Sequence, residues 1–215
     1  MKRNLLKIMT AAILLSIVTM GCKKDDNITD ATPNPEPEQT EVGVVINGVR
    51  WSTRNVGSPD AFAATPQDVG MFYQWNRKTG WSASNPMTNS AGGAAWLNSD
   101  AEGNSWAKAN DPCPSGWRVP TDVELQSLID AGSQWTTVNG KDGRLFGSGN
   151  SALFLPAAGY RNYDDGALNN VGVYGYYWSS APSDANASCL FFLSDNFYMR
   201  AAYRATGGSV RCVAE

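Results

Sequence analysis

The sequence predicts an α+β domain with short antiparallel strands, one main helix near residues 121–131 and long irregular loops. Three observations carry that expectation. Asn47-Gly48 sits between apolar runs near the start of the head, Thr121-Asp122-Val123-Glu124 reads as a helix start, and short apolar runs separated by Gly, Asn, Asp and Pro follow one another from Ala152 to Val213. Strand-rich ends around one central helix make an α+β unit.

The first element is a hairpin. Val42 to Ile46 and Val49 to Thr53 flank Asn47-Gly48, and an Asn-Gly pair suits a tight turn in which both central residues need φ > 0. Met71 to Trp75 reads as another short strand. Asn76 to Asn110 then forms a long loop-like reach rich in Ser, Asn, Gly and Ala, with Trp81, Trp96 and Trp106 along it. Each tryptophan has enough apolar area to pin a loop. From Asp111 the chain is extended, because prolines on both sides of Cys113 fix φ and push their preceding residues out of the helical region.

Thr121 offers its hydroxyl to the amide of Glu124, whose carboxylate reaches back to the Thr121 amide, the reciprocal capping box. The helix it opens buries Leu125, Leu128 and Ile129 and stops at Gly132. Trp135 to Asn139 and Arg144 to Phe146 flank a turn cluster at Asn139 to Gly143. Ala152 to Ala158, Gly175 to Ser180, Ser188 to Ser194, Asn196 to Tyr203 and Ser209 to Val213 read as the remaining strands.

Ahead of this head lies a leader. Lys2, Arg3 and Lys7 precede an apolar run from Ala11 to Val18, too short for a stable membrane span, so residues 1–21 read as a signal peptide. Thr19-Met20-Gly21 before Cys22 resembles a bacterial lipoprotein signal, with Thr19 where such signals usually carry leucine, and makes Cys22 the expected lipidation site. Lys23-Lys24-Asp25-Asp26 is similar to the surface-export signal of Bacteroidetes lipoproteins, and is equally a solvated linker cluster. Residues 22–41, rich in Pro, Asp and Glu, read as a disordered tether, which leaves 42–215 as one globular domain. The expected location is the outer membrane, facing the cell exterior.

Charge narrows the partners. Removal of the leader takes Lys2, Arg3 and Lys7 from the 17 basic residues and nothing from the 20 acidic ones, so the formal charge moves from −3 to −6. The arginines are scattered singly, which offers nucleic acid no counterion-release surface. No second apolar run reaches spanning length, so membrane attachment is expected through the lipid alone.

Several ordered motifs carry a family resemblance. Cys-Pro-Ser-Gly-Trp-Arg-Val-Pro-Thr at 113–121, Gly-Tyr-Arg at 159–161, Asp-Gly-Ala-Leu at 165–168, Tyr-Trp-Ser-Ser at 177–180 and Ser-Val-Arg-Cys-Val at 209–213 resemble the Fibrobacter succinogenes major paralogous domain, and Trp51 to Val56 and Gly70 to Asn76 extend the likeness. The resemblance implies a fold in the C-type-lectin-like and formylglycine-generating-enzyme group, with the N- and C-terminal strands together. It supplies no established activity. It implies a disulfide between Cys113 and Cys212, which an exported chain permits. Three pairings of Cys113, Cys189 and Cys212 are open, and Cys189–Cys212 between neighbouring strands is the chief competitor.

The chemical inventory is thin. The chain has no histidine, which removes Ser-His-Asp and Cys-His triads and His-containing zinc sites. No C-x-x-C pair and no phosphate-binding loop is present, and the calcium-binding motifs of C-type lectins are not met. Asp164-Asp165-Gly166 reads as a turn rather than a Ca²⁺ site. No catalytic, metal or cofactor residue is therefore assigned. Aromatic residues remain: Trp81 and Trp96 in the loop, and Tyr160, Arg161 and Tyr163 with Asn162 between them, are the candidate ligand-binding residues. The favoured reading is a non-catalytic lectin-like module binding a glycan or a surface protein. An enzyme of the formylglycine-generating type, a carboxylate-based polysaccharide hydrolase and a structural envelope or fibre component are the alternatives.

Overall fold

The computed structural model describes residues 41–215. The segments up to Thr40 read from sequence as a signal peptide and a tether, with Cys22 and the Lys23–Asp26 cluster, lie outside the described residues. In chain order the elements are β1 (Val44–Ile46), β2 (Val49–Trp51), β3 (Val56–Ser58), β4 (Ala61–Phe62), β5 (Phe72–Tyr73), β6 (Gly80–Trp81), a 3-10 turn (Lys108–Asn110), β7 (Trp117–Arg118), α1 (Asp122–Asp130), β8 (Ser133–Val138), β9 (Lys141–Ser148), β10 (Ser151–Pro156), β11 (Tyr160–Arg161), β12 (Leu168–Asn169), β13 (Gly175–Ser183), β14 (Asn186–Phe192), β15 (Phe197–Ala202) and β16 (Val213–Ala214).

The fold class is corrected by this architecture. Among the described residues helix makes up 7% and strand 40%, so the head is a β-rich assembly of small antiparallel sheets and not an α+β, C-type-lectin-like domain organised on a main helix. The physical reason is the size of the helix. α1 has nine residues and buries only Leu125 and Leu128 fully. It therefore acts as a plug against β9 and β13 to β15 and forms no layer of its own.

Local chemistry explains where the elements begin and end. Asn47 and Gly48 adopt φ of 49° and 82° between Ile46 and Val49, which pair directly, and Asn139 and Gly140 repeat the device with 48° and 76° between β8 and β9. Thr121 Oγ1 accepts from the Glu124 amide at 3.3 Å, and Glu124 Oε2 accepts from the Thr121 amide at 2.7 Å. Glu124 also grips Arg118 through two bonds of 2.9 and 2.6 Å, tying β7 to the helix start. Gly132, at φ 73°, ends the helix by donating to Ile129 O.

The sheet β13-β14-β15 divides the interior. Side chains alternate along a strand, so Tyr177, Leu190 and Phe192 join Leu125, Leu128, Phe146 and Trp51 on one face. Tyr176, Trp178, Cys189 and Phe191 join Tyr73, Trp75, Trp106 and Val210 on the other. A second sheet, in the order β1-β2-β16-β7, holds the C-terminal strand between β2, near the start of the head, and β7, which leads into α1. The Cys113–Cys212 disulfide, with Cα atoms 6.1 Å apart and a sequence separation of 99, fixes the approach to α1 against that strand.

The loops are held by arginines that donate to backbone carbonyls. Arg204 binds the carbonyls of Ala101, Gly103, Asp184 and Asn186, with its guanidinium 4.4 Å over the Trp75 ring. This orders part of the Asn76–Asn110 reach, which contains β6 and the 3-10 turn. Arg211, fully buried, binds Asn55 Oδ1 and the carbonyls of Ser52 and Thr53, and burial lowers its pKa. Glu41, placed by sequence at the end of the tether, belongs to this framework. Its carboxylate accepts from Gly43, Thr53 and Arg54.

Candidate functional site

A cleft of about 350 Å³ opens over one face of the β13-β14-β15 sheet. One wall is the chain leaving β11, with Tyr160, Asn162 and Tyr163; the floor is Tyr176 of β13 and Arg200 of β15; the other wall is Tyr203 and Thr206, with Asn186 at the start of β14. Its volume lies at the small end of the ~300–1,000 Å³ typical of ligand pockets.

The register puts Tyr176 and Arg200 there. Tyr176 pairs with Phe191 and Arg200 with Cys189, so both side chains leave the sheet on the same face. Arg200 Nη1 donates to Tyr176 Oη at 3.1 Å, and its guanidinium lies 4.9 Å from the centre of the Phe191 ring and 5.4 Å from that of Tyr176. Burial pushes the Tyr176 hydroxyl up to about 12, against the pull of Arg200, so it is neutral at physiological pH and accepts this bond.

The tyrosines work in two pairs. Tyr160 and Tyr176 have ring centroids 4.8 Å apart at 47°, and Tyr163 and Tyr203 are 4.4 Å apart at 44°. Tyr163 and Tyr203 are 42% and 53% exposed, which makes them an aromatic surface open to solvent. No Asp or Glu is among the lining residues.

The sequence-predicted residues divide into lining and support. Tyr160 and Tyr163 line the cleft. Arg161 is wholly buried and points its guanidinium at Ser82 O, Ser82 Oγ, Ser84 O and Gly166 O. It braces the loop beneath the tyrosines and presents no donors to the cleft, where Arg200 supplies the guanidinium instead. Trp81 is buried at 1% exposure and packs on Trp96 with centroids 4.8 Å apart. Trp96, half-buried, donates from Nε1 to Tyr163 O at 2.9 Å. The two tryptophans are thus props for the Tyr163 loop. Cys22 lies outside the described residues.

Arg200, Tyr203, Tyr176, Asn186 and Thr206 were missed from sequence. Tyr198, Arg200 and Ala202 alternate with the core-facing Phe197 and Met199 along β15, and this period-2 pattern was the available signal.

The cysteines do not form a reactive pair. Cys212 is bonded to Cys113, and the remaining thiol among the described residues, Cys189, is 1% exposed with its pKa pushed up to about 12 by burial. Among the described residues no group of three or more His, Cys, Asp or Glu is placed to hold a metal ion.

Comparison with known families places the cleft inside a recognised unit. Residues 129–213 match a domain of unknown function, DUF8237. That span contains all the residues that line the cleft, from Tyr160 to Thr206, whereas its props Trp81 and Trp96 come from the preceding part of the chain. No curated protein and no solved structure matches the chain.

Proposed function

We propose that this chain is a cell-surface lipoprotein whose head is a non-catalytic module binding a glycan in the tyrosine cleft. The observation that carries the reading is the Tyr163–Tyr203 pair, two exposed rings in a cleft that is also lined by Tyr160, Tyr176, two alanines and the amide, hydroxyl and guanidinium groups of Asn162, Asn186, Thr206 and Arg200. A pyranose presents one C–H-rich face and a rim of hydroxyls. Tyrosine faces cover the first, and Asn162, Asn186 and Thr206 are chemically suited to the second. The absence of carboxylates from the lining leaves the cleft without the paired acids that glycoside hydrolysis uses. The inaccessible Cys189 thiol likewise supports a binding role over cysteine-dependent oxidation.

Anchoring belongs to the same proposal. The basic leader, the short apolar run and Gly21-Cys22 support lipid attachment at Cys22, and the motif resemblance to the Fibrobacter succinogenes major paralogous domain supports a surface address. Binding is tested by presenting the purified chain to a panel of neutral and charged polysaccharides. Saturable retention by at least one glycan, reduced in Tyr163→Ala and Tyr203→Ala, is expected; retention by none refutes the reading. Anchoring is tested by metabolic labelling with a radioactive fatty acid, which the wild type incorporates and Cys22→Ser does not.

A further inference from the structure

Resting on the glycan reading above, we infer that the sugar taken by the cleft carries a carboxylate, as in a uronic acid, and that Arg200 is the residue that selects it. Most of the head's arginines are committed. Arg161, Arg204 and Arg211 donate to backbone carbonyls. Arg54 and Arg118 are paired with Glu41 and Glu124, and the lysines of a second depression beside Cys113, Lys78 and Lys108, with Asp60 and Glu215. Both lysines of that depression are therefore already paired from within. Arg200 differs from all of these. It lines the tyrosine cleft, spends Nη1 on the neutral hydroxyl of Tyr176, and forms no ion pair among the described residues.

Its setting favours a carboxylate in particular. The guanidinium is flanked by the Phe191 and Tyr176 rings, which restrict its motion and leave its remaining N–H groups without an internal acceptor among the described residues. A fixed planar fork matches the two oxygens of a carboxylate, and its charge is worth more against an anion than against a sugar hydroxyl. Asp164, Asp165 and Asp184 lie on flanking turns outside the lining, so the discrimination arises locally, at the guanidinium. The tyrosine pair Tyr163–Tyr203 would hold the ring while Arg200 reads its substituent.

The test compares polyuronate oligomers, made of galacturonate, glucuronate or mannuronate, with the same oligomers after chemical reduction of each carboxylate to a primary alcohol. Only the anionic group differs within a pair. Calorimetric titration of the purified chain is expected to show at least one parent binding about tenfold or more tighter than its reduced form. That gap closes in Arg200→Gln, returns in part in Arg200→Lys, and the thermal midpoints of both variants stay near wild type. Equal affinity for parent and reduced oligomers overturns the inference and leaves the glycan reading standing. Binding of neutral glycans with no binding of any polyuronate does the same. Failure to bind any glycan overturns the reading and the inference together. The parent–reduced comparison on the wild type needs no variant, so it decides whether a carboxylate is selected even where an Arg200 substitution disturbs folding; a gap that persists in a folded Arg200→Gln overturns the assignment to Arg200.

Discussion

Tyr163 and Tyr203 lie with ring centroids 4.4 Å apart although one follows β11 and the other follows β15. Their contact joins two loops supported from below by separate anchors, Trp96 Nε1 on Tyr163 O and Arg204 on the carbonyls of Asp184 and Asn186. The rings are exposed while Arg204 is buried and Trp96 half-buried, so removing a ring and removing a support have different consequences.

Tyr163→Ala and Tyr203→Ala are expected to weaken glycan binding by about 1–2 kcal/mol each, as truncation of an aromatic anchor does. Loss of folding stability should stay at or below about 1 kcal/mol, the scale of one aromatic pair. Arg161→Ala strips four hydrogen bonds from a wholly buried site and is expected to lower stability and binding together. Urea melts beside binding titrations separate the two behaviours; a Tyr203→Ala variant that loses stability as Arg161→Ala does would count against the division into lining and support.

The cysteine arrangement predicts a thiol count. A purified Cys22→Ser chain should show no reaction with an aromatic disulfide reagent in the native state, because Cys189 is buried with its pKa raised to about 12. Unfolding without reductant should release one thiol per chain; three would show that Cys113 and Cys212 are not bonded. Paired replacement of Cys113 and Cys212 by Ser should cost about 2–4 kcal/mol, since the bond closes a long loop.

The acid limb of the stability curve should depend on Glu124. Burial pushes its pKa up, yet the bonds from Arg118 and Thr121 outweigh this and hold it below the usual carboxylate range. A lowered folded-state pKa stabilises above the unfolded value of about 4.3 and loses that contribution as pH falls through the folded value. The difference in stability between wild type and Glu124→Gln should therefore be constant above about pH 5.5 and shrink below pH 4. Asp111 works in the opposite sense, because burial raises its pKa despite bonds from the Cys113 and Val119 amides, and its contribution cancels in the comparison. A difference that grows on acidification contradicts the assignment.

Gly175 faces Phe192 across β13 and β14, and a Cβ added there would lie 2.1 Å from Phe192 Cζ. That ring is fully buried, stacked on Tyr177 and edge-on to Phe146 and Trp135. It has nowhere to move. Gly175→Ala should cost about 1–3 kcal/mol by overpacking, read as a lower urea midpoint; an unchanged midpoint would show that the ring can yield.

Features governed by local chemistry were legible in the sequence. Asn47-Gly48 demanded a tight turn because both positions need positive φ, and Thr121 with Glu124 marked a helix start because the two groups satisfy each other's amides. The fold class was not legible, because the helix signal stood out more than its nine residues warrant, while many strands are two or three residues long and exist only through pairing partners distant in sequence. The same applies to the cleft. Tyr160 and Tyr163 stood out as loop aromatics among polar neighbours, but Arg200 reaches the cleft only through its register opposite Cys189, and Arg161 is drawn inward by carbonyls some eighty residues earlier. Both depend on tertiary partners that neither spacing nor composition reveals.

The central claim is that glycan is bound between the tyrosine pairs. The most direct measurement is a backbone and side-chain NMR titration of the purified chain with the tightest oligosaccharide from the panel. The account predicts saturable shifts concentrated at Tyr160, Asn162, Tyr163, Tyr176, Arg200 and Tyr203. Shifts centred elsewhere, such as the depression around Asp60, Lys108 and Glu215, or no shift with any member of the panel, would contradict it.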